Sequence, residues 1–319
     1  MKAVFLDFGT MGAAELDPSP LAEVVPDFEV FDSTPQELVA ERIDGVDFVF
    51  ANKARLTKDI ISNAGSLQFI GLTATGVDNV DLDAAKNHDV AVCNIRAYCT
   101  QSIVEHVFAV LLNLTHSVRQ YDRIVRAGAW QQADNFCMLE FPIRELSAMT
   151  IGIVGLGVLG TGVANMARKF GMSVMVARRP GQPATADDGR FDIRHILQQC
   201  DVLSLHCPLT GKTRGLIGAR ELELMKPGAI LINTARGGLI DTAALVEALN
   251  NGTIAAAAID VLPQEPPVDG DPLLDYEGDN LILTPHIAWG TVEARQTAIN
   301  EVAANVRSFL AGEERNRVV

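Results

Sequence analysis

Basic residues are the scarce class in this chain. It has 26 Lys and Arg against 40 Asp and Glu, a formal net charge of −14. Such a surface repels phosphate backbones, so nucleic acid is not expected as a partner. A small anionic ligand would have to be met by individual cations, which makes single Arg residues worth locating. Cysteine is also sparse. Cys93, Cys99, Cys137, Cys200 and Cys207 are odd in number and none are spaced C-x-x-C, so neither a disulfide framework nor a zinc site is suggested, and no metal is expected. Reduced thiols in a cytoplasmic protein are the expected state. No apolar run approaches the length of a membrane span, so no membrane partner is expected. Residues Lys2 to Leu6 read as a strand and lack the charged, apolar and cleavage regions of a secretory signal.

The chain does have ordinary globular composition, 48% hydrophobic and 21% charged over 319 residues, enough for two cores. Short apolar runs alternate with helical patterns almost throughout, which predicts parallel sheets flanked by helices. In the first third, strands are expected at 2–6, 28–31, 48–51, 69–73 and 90–93, with a helix over 57–64 between two of them. From Gln101 to Ala127 the apolar spacing of Ile103, Val107, Val110, Leu111, Leu114 and Val118 predicts one long helix, closed by Gly128. Asp134 to Ser147 has no period and reads as a surface loop. A second alternating unit is expected to place strands at 150–155, 173–177, 202–206, 229–233, 256–260 and 281–284. A last helix is expected over 292–310. The long helix and the last helix would carry the chain out of the first domain and back, making that domain discontinuous.

Gly155-Leu156-Gly157-Val158-Leu159-Gly160 lies between a buried-strand run and a helix. Gly155 allows the tight turn, Gly157 lets backbone approach a pyrophosphate, and Gly160 permits close helix–strand packing. The helix N-terminus then offers free N–H groups and the positive end of its dipole. That context makes the motif a Rossmann dinucleotide site. At the end of the next strand, where an NAD site usually carries an acid, stand Arg178 and Arg179. Arg178 is eighteen positions past Gly160. No carboxylate is there to repel a 2′-phosphate, and two guanidiniums are there to pair with one. NADP(H) is therefore the expected cofactor, with NAD(H) as the alternative. The other reading is a solvated basic turn in an enzyme that uses both.

Three further residues follow strand-like runs. Arg236, on the turn Asn233 to Gly238, could hold a carboxylate bidentately and polarise an adjacent carbonyl. Glu265 lies in the Pro-rich segment Asp260 to Pro266, where it reads equally as a surface carboxylate. His286 follows Pro285. An anion beside an imidazole favours its protonated form, so the pair could supply a proton at neutral pH. An anion-binding Arg, a carboxylate-paired His and a dinucleotide loop together suggest hydride transfer to the carbonyl of a small 2-oxo acid. Asn52 and Lys53, after an early strand, read as cleft-lining or as solvated loop residues.

The set Gly155 to Gly160, His206-Cys207-Pro208-Leu209-Thr210, Asn233 to Gly238, Asp260 to Pro266 and Pro285-His286 resembles the D-isomer-specific 2-hydroxyacid dehydrogenase family over essentially the whole chain. The resemblance implies two doubly wound parallel-sheet domains. A central Rossmann domain, 99–287, would be inserted into a discontinuous flavodoxin-like substrate domain, 1–98 plus 288–319. It implies a homodimer formed largely through the Rossmann domain, with substrate entering between the domains. It assigns catalysis to Arg236, Glu265 and His286, and substrate binding to Thr75, Gly76, Arg236 and His286. Asp260 matches the acid that holds the nicotinamide carboxamide. Further cofactor contacts are implied for Val158, Leu159, Cys207, Pro208, Thr213, Thr234, Ala235, Arg236, His286 and Ala288. Glu105 and His106 match an architectural segment of the long helix.

Within the family, Asn94 to Tyr98, Phe136-Cys137 and Pro285 to Trp289 look most like hydroxypyruvate reductase, also called glycerate dehydrogenase. Hydroxypyruvate and glyoxylate are the substrates this implies. Another 2-hydroxy acid or phosphite is the alternative within the enzyme class, and a non-catalytic dinucleotide sensor is the alternative outside it.

Overall fold

The computed structural model describes residues 1–182 and 189–319. Contacts divide the chain into two units, one formed by Met1–Cys99 with Trp289–Val319 and the other by Thr100–Ala288.

The first unit is built on five parallel strands: β1 (Lys2–Phe5), β2 (Asp27–Val30), β3 (Phe48–Ala51), β4 (Phe69–Leu72) and β5 (Ala91–Cys93), in the order β2-β1-β3-β4-β5. This is the flavodoxin-like order. β3 and β4 are buried along their whole length, which is why they read as unbroken apolar runs, whereas the edge strand β2 is mostly exposed. The two faces have separate cores. Val4, Val49 and Ile70 pack on one side. Phe5, Phe48, Phe50 and Phe69 pack on the other against Ala298, Val302 and Val306 of the C-terminal helix Val292–Leu310. Phe309 lies 5.2 Å from the Phe69 ring and 5.9 Å from that of Phe48, centroid to centroid. Gly71 lets the helix approach, since a Cβ there would lie 2.8 Å from Val302 Cγ1. Burying each such Phe contributes about 1.5–3 kcal/mol, so the C-terminal segment is integral to this unit.

Among its described residues the second unit has seven parallel strands: β6 (Thr150–Val154), β7 (Ser173–Ala177), β8 (Arg190–Phe191), β9 (Val202–Leu205), β10 (Ile230–Asn233), β11 (Ala256–Ile259) and β12 (Leu281–Leu283). Their order is β12-β11-β10-β9-β6-β7-β8. The order reverses between β6 and β9, and ligands of such sheets bind beyond the carboxyl ends of the strands at that switch. The expected two-sheet α/β class is therefore what the structure has.

Two expectations need correction. The single helix over 101–127 is two helices, Thr100–Thr115 and Val118–Arg126. Ser117 between them is left-handed, with φ of 51°. The 142–144 segment accounts for the break: Arg144 N–H takes the Thr115 carbonyl at 2.9 Å, and Ser117 Oγ donates to Pro142 O at 2.9 Å. Only the first helix has a buried face; Val118–Arg126 buries no residue, and Val118, the last position of the apolar spacing, is 51% exposed. Gly128 does close the second helix, with φ of 87° and its N–H on Val125 O. The second correction is β8, a two-residue strand that the expected set lacked. It pairs with the end of β7 beside Arg178.

Candidate active site

The second unit sets its functional side chains on the turns that follow β6, β7, β9, β10, β11 and β12. After β6, Gly155 adopts φ of 99°, and a Cβ on it would fall 2.6 Å from Cys207 N and 2.7 Å from the His206 carbonyl. Gly160 is equally constrained, its would-be Cβ lying 2.0 Å from Gly155 O. Gly157 differs: a Cβ there would meet no atom within 4 Å. It precedes the twelve-residue helix Val158–Lys169, whose first N–H groups lack a side-chain cap at Gly157. Tight contacts at the first and third glycines and open space at the second suit an approaching pyrophosphate. Thr234, after β10, has a buried Oγ1 without a hydrogen-bond partner, a polar atom suited to a ligand. These residues fit a dinucleotide.

After β9, Ser204 Oγ and His206 Nε2 are 2.8 Å apart. Burial pushes the His206 pKa down to about 4, so the ring is neutral under the switch-point turn. Burial raises the Cys207 thiol. The Thr213 hydroxyl is spent inside its own turn: it accepts from Thr210 N and donates to Pro208 O, both at 2.7 Å. After β7, Arg178 is half-buried, and its guanidinium donates to Arg190 O at 2.8 Å, which fastens it to β8. Arg179 is exposed.

The turn after β10 carries Arg236. Asn233, fully buried, braces the turn, accepting from Ala235 N at 3.0 Å and donating to Arg236 O at 2.9 Å. Gly237 follows because the segment after β11 runs against it; a Cβ would sit 2.0 Å from Leu262 C. On that segment Glu265 Oε1 accepts from Leu262 N at 2.9 Å, and Glu265 Oε2 lies 2.6 Å from His286 Nδ1. One carboxylate oxygen is thus fixed by its own loop and the other by the imidazole.

His286 adopts φ of 56°, in the left-handed region that non-glycine residues seldom enter. Its N–H donates to Asp260 O at 2.8 Å and Thr284 O at 3.0 Å. The Asp260 carboxylate, buried at 2% exposure, accepts from Ile287 N and Ala288 N, each at 2.9 Å, and from Thr284 Oγ1 at 2.5 Å. Asp260 is therefore the post that ties down the His286 turn, which the sequence reading did not foresee. Nor did that reading pick out Asn233, Ser102 or Thr284. Asn233 had one available signal, a polar residue ending an otherwise apolar strand.

Thr75 and Gly76 belong to the first unit, in the turn after β4. Thr75 Oγ1 donates to Ile95 O at 2.9 Å, and Asn94 Nδ2 donates to Thr75 O at 2.8 Å. Asn52 is buried, and its backbone N–H and those of Lys53 and Ala54 converge on the Asp7 carboxylate at 2.6–2.9 Å. Lys53 Nζ stands 6.0 Å from the Trp289 ring centroid.

Residues 108–288 match the family model described as D-isomer specific 2-hydroxyacid dehydrogenase, NAD binding domain. The chain belongs to the D-isomer-specific 2-hydroxyacid dehydrogenase family. It is 40% identical to a glycerate dehydrogenase of Methylorubrum extorquens, covering 99% of this chain and 98% of that one. It is 34% identical to a hydroxypyruvate reductase of Blautia hydrogenotrophica, covering 100% and 99%. Among solved structures it is similar to an acyclic imino acid reductase in complex with NADPH and D-arginine, with a TM-score of 0.86, 30% identity and full coverage of both chains. The chain is thus a 2-hydroxyacid dehydrogenase, an oxidoreductase that uses a nicotinamide dinucleotide and a small-molecule substrate.

Proposed function

We propose that this dehydrogenase reduces hydroxypyruvate to D-glycerate and glyoxylate to glycolate, with NADPH as the preferred cofactor. The observation that carries the mechanism is the 2.6 Å contact between Glu265 Oε2 and His286 Nδ1. A carboxylate at one ring nitrogen stabilises the imidazolium and fixes the ring plane. With Nδ1 turned to Glu265, the proton leaves through Nε2 to the carbonyl oxygen in reduction and returns to Nε2 in oxidation. A bound nicotinamide supplies the hydride. Arg236 pairs with the substrate carboxylate and polarises the adjacent carbonyl, and Thr75, Gly76 and His286 complete the proposed substrate-binding residues. Gly155, Gly157, Val158, Leu159 and Gly160, with Arg178, Arg179, Cys207, Pro208, Thr213, Thr234, Ala235, Arg236, Asp260, His286 and Ala288, form the cofactor-binding set of this reading.

The substrate choice is supported by relatives named glycerate dehydrogenase and hydroxypyruvate reductase that align over the full chain. The NADPH preference is supported by Arg178 and Arg179 after β7 and by the similar structure that holds NADPH. A homodimer is supported by the second unit's apolar display: Phe136, Leu139, Trp130 and Ile143 are 90%, 76%, 53% and 50% exposed within one short stretch. A cytoplasmic site of action is supported by five free cysteines. No helix among the described residues is long and apolar enough to cross a membrane.

The deciding experiment follows oxidation of NADPH and of NADH with a panel of 2-oxo acids and glyoxylate. Hydroxypyruvate with NADPH should give the highest kcat/KM. A bulkier 2-oxo acid ahead of it, or equal use of NADH, would overturn the corresponding half of the reading.

A further inference from the structure

The helix Thr100–Thr115 carries two polar side chains four residues apart, Ser102 and His106, which puts them on one face. Both reach the turn that holds His286. Ser102 Oγ donates to Ala288 O at 2.7 Å, and His106 Nε2 lies 3.3 Å from Thr284 Oγ1 and 4.0 Å from Asp260 Oδ1. The directions of these bonds follow from counting hydrogens. Thr284 has one hydroxyl hydrogen and gives it to Asp260 Oδ1. It must then accept from His106, so Nε2 carries the ring hydrogen. Burial lowers the His106 pKa against an opposing pull from the Asp260 charge, which is consistent with a neutral, single-donor ring.

The chain of donors runs from His106 Nε2–H to Thr284 Oγ1–H to the Asp260 carboxylate. That carboxylate holds the N–H groups of Ile287 and Ala288, and Asp260 O holds that of His286. The backbone at residue 286 is left-handed and persists only where its surroundings over-determine it.

We propose that His106 is a positioning residue for His286: through Thr284 it orients the Asp260 carboxylate, which holds turn 284–288 in the conformation that presents the imidazole to Glu265. It does not touch substrate and exchanges no proton with it. The proposal rests on the reading of His286 as proton donor.

The test uses the full chain and compares wild type with His106→Leu, His106→Gln and His286→Ala. The measurements are kcat and KM for hydroxypyruvate reduction and the Kd of NADPH by fluorescence titration. His106→Leu should lower kcat about tenfold or more while KM stays within about twofold and any change in the Kd of NADPH is smaller than the loss in kcat. His106→Gln, which keeps an N–H donor near the Nε2 position, should restore kcat to within about threefold of wild type. Wild-type kcat in His106→Leu overturns the proposal. So does equal loss in the Leu and Gln variants, because packing rather than the donor would then be responsible. Should His106→Leu fail to fold, Thr284→Val carries the test: it should show the same kcat loss and Thr284→Ser should restore it, and a normal kcat in Thr284→Val overturns the proposal. The two readings fail separately. Normal turnover in His286→Ala sinks the proton-donor reading and the proposal with it, whereas an inactive His286→Ala beside a normal His106→Leu sinks the proposal alone.

Discussion

Glu265 and His286, twenty-one positions apart in the chain, meet with Oε2 and Nδ1 2.6 Å apart. Each is held from behind by backbone: Glu265 by Leu262 N–H, His286 by the carbonyls of Asp260 and Thr284. Neither side chain has to reorganise to form the pair, and that pre-organisation makes it suitable for proton transfer.

The pair's two members should fail differently. His286→Ala removes the donor and should lower kcat about 10²–10⁴-fold, the usual scale of general acid catalysis, with little change in NADPH binding by comparison. Glu265→Gln keeps a hydrogen-bond partner but loses the charge. Charge-assisted bonds contribute about 1.5–3 kcal/mol, so kcat should fall about 10–100-fold. Steady-state kinetics beside cofactor titration would check both, and a Glu265→Gln enzyme with full turnover would remove the carboxylate from the mechanism.

Arg179 is exposed after β7, whereas Arg178 is also bonded to β8. Arg179→Ala should therefore test 2′-phosphate recognition without loosening the sheet edge. The Kd for NADPH should rise about 10-fold or more and that for NADH should stay the same. An equal change for both cofactors would show that the guanidinium does not read the 2′-phosphate.

The glycine loop separates packing from binding. In Gly160→Ala the new Cβ meets Gly155 O at 2.0 Å, so the variant should lose about 1–3 kcal/mol of stability, read as a lower Tm before any cofactor is added. Gly157→Ala meets no atom within 4 Å and should keep its Tm while binding NADPH at least tenfold more weakly. Unchanged affinity in Gly157→Ala would place the pyrophosphate elsewhere.

His206 should make stability depend on pH. Its folded pKa, about 4, lies below the ordinary 6.5, so between those values the unfolded chain binds the extra proton and stability falls as pH falls. The loss begins as pH drops below 6.5, is complete below about 4, and amounts to on the order of 3 kcal/mol at about 1.4 kcal/mol per pKa unit. Urea unfolding at pH 7 and pH 5 should show His206→Gln losing less stability over that interval than wild type. Identical losses would mean that the ring is protonated in the folded state.

Much of the architecture is legible in the chain because parallel strands buried on both faces leave unbroken apolar runs. Phe48 to Ala51 and Ile230 to Asn233 are such runs, and turns rich in glycine and proline mark where they end. β8 left no such mark. Arg190 and Phe191 form a strand only because the end of β7 offers them a partner. The helix break at Ser117 was hidden for a related reason: it is made by Pro142 and Arg144, residues remote in sequence.

The sequence by itself determined the family and pointed to the dinucleotide loop and to Arg236, Glu265 and His286 as candidates, since these depend on local spacing and on residue chemistry. Only the tertiary structure decided what holds them. Asp260 anchors the His286 turn, Gly237 admits Leu262, and Ser102 and His106 reach across from a helix more than 170 positions earlier. Bonds of that kind form when chain closure brings distant donors and acceptors together out of water, and no pattern of neighbouring residues encodes them.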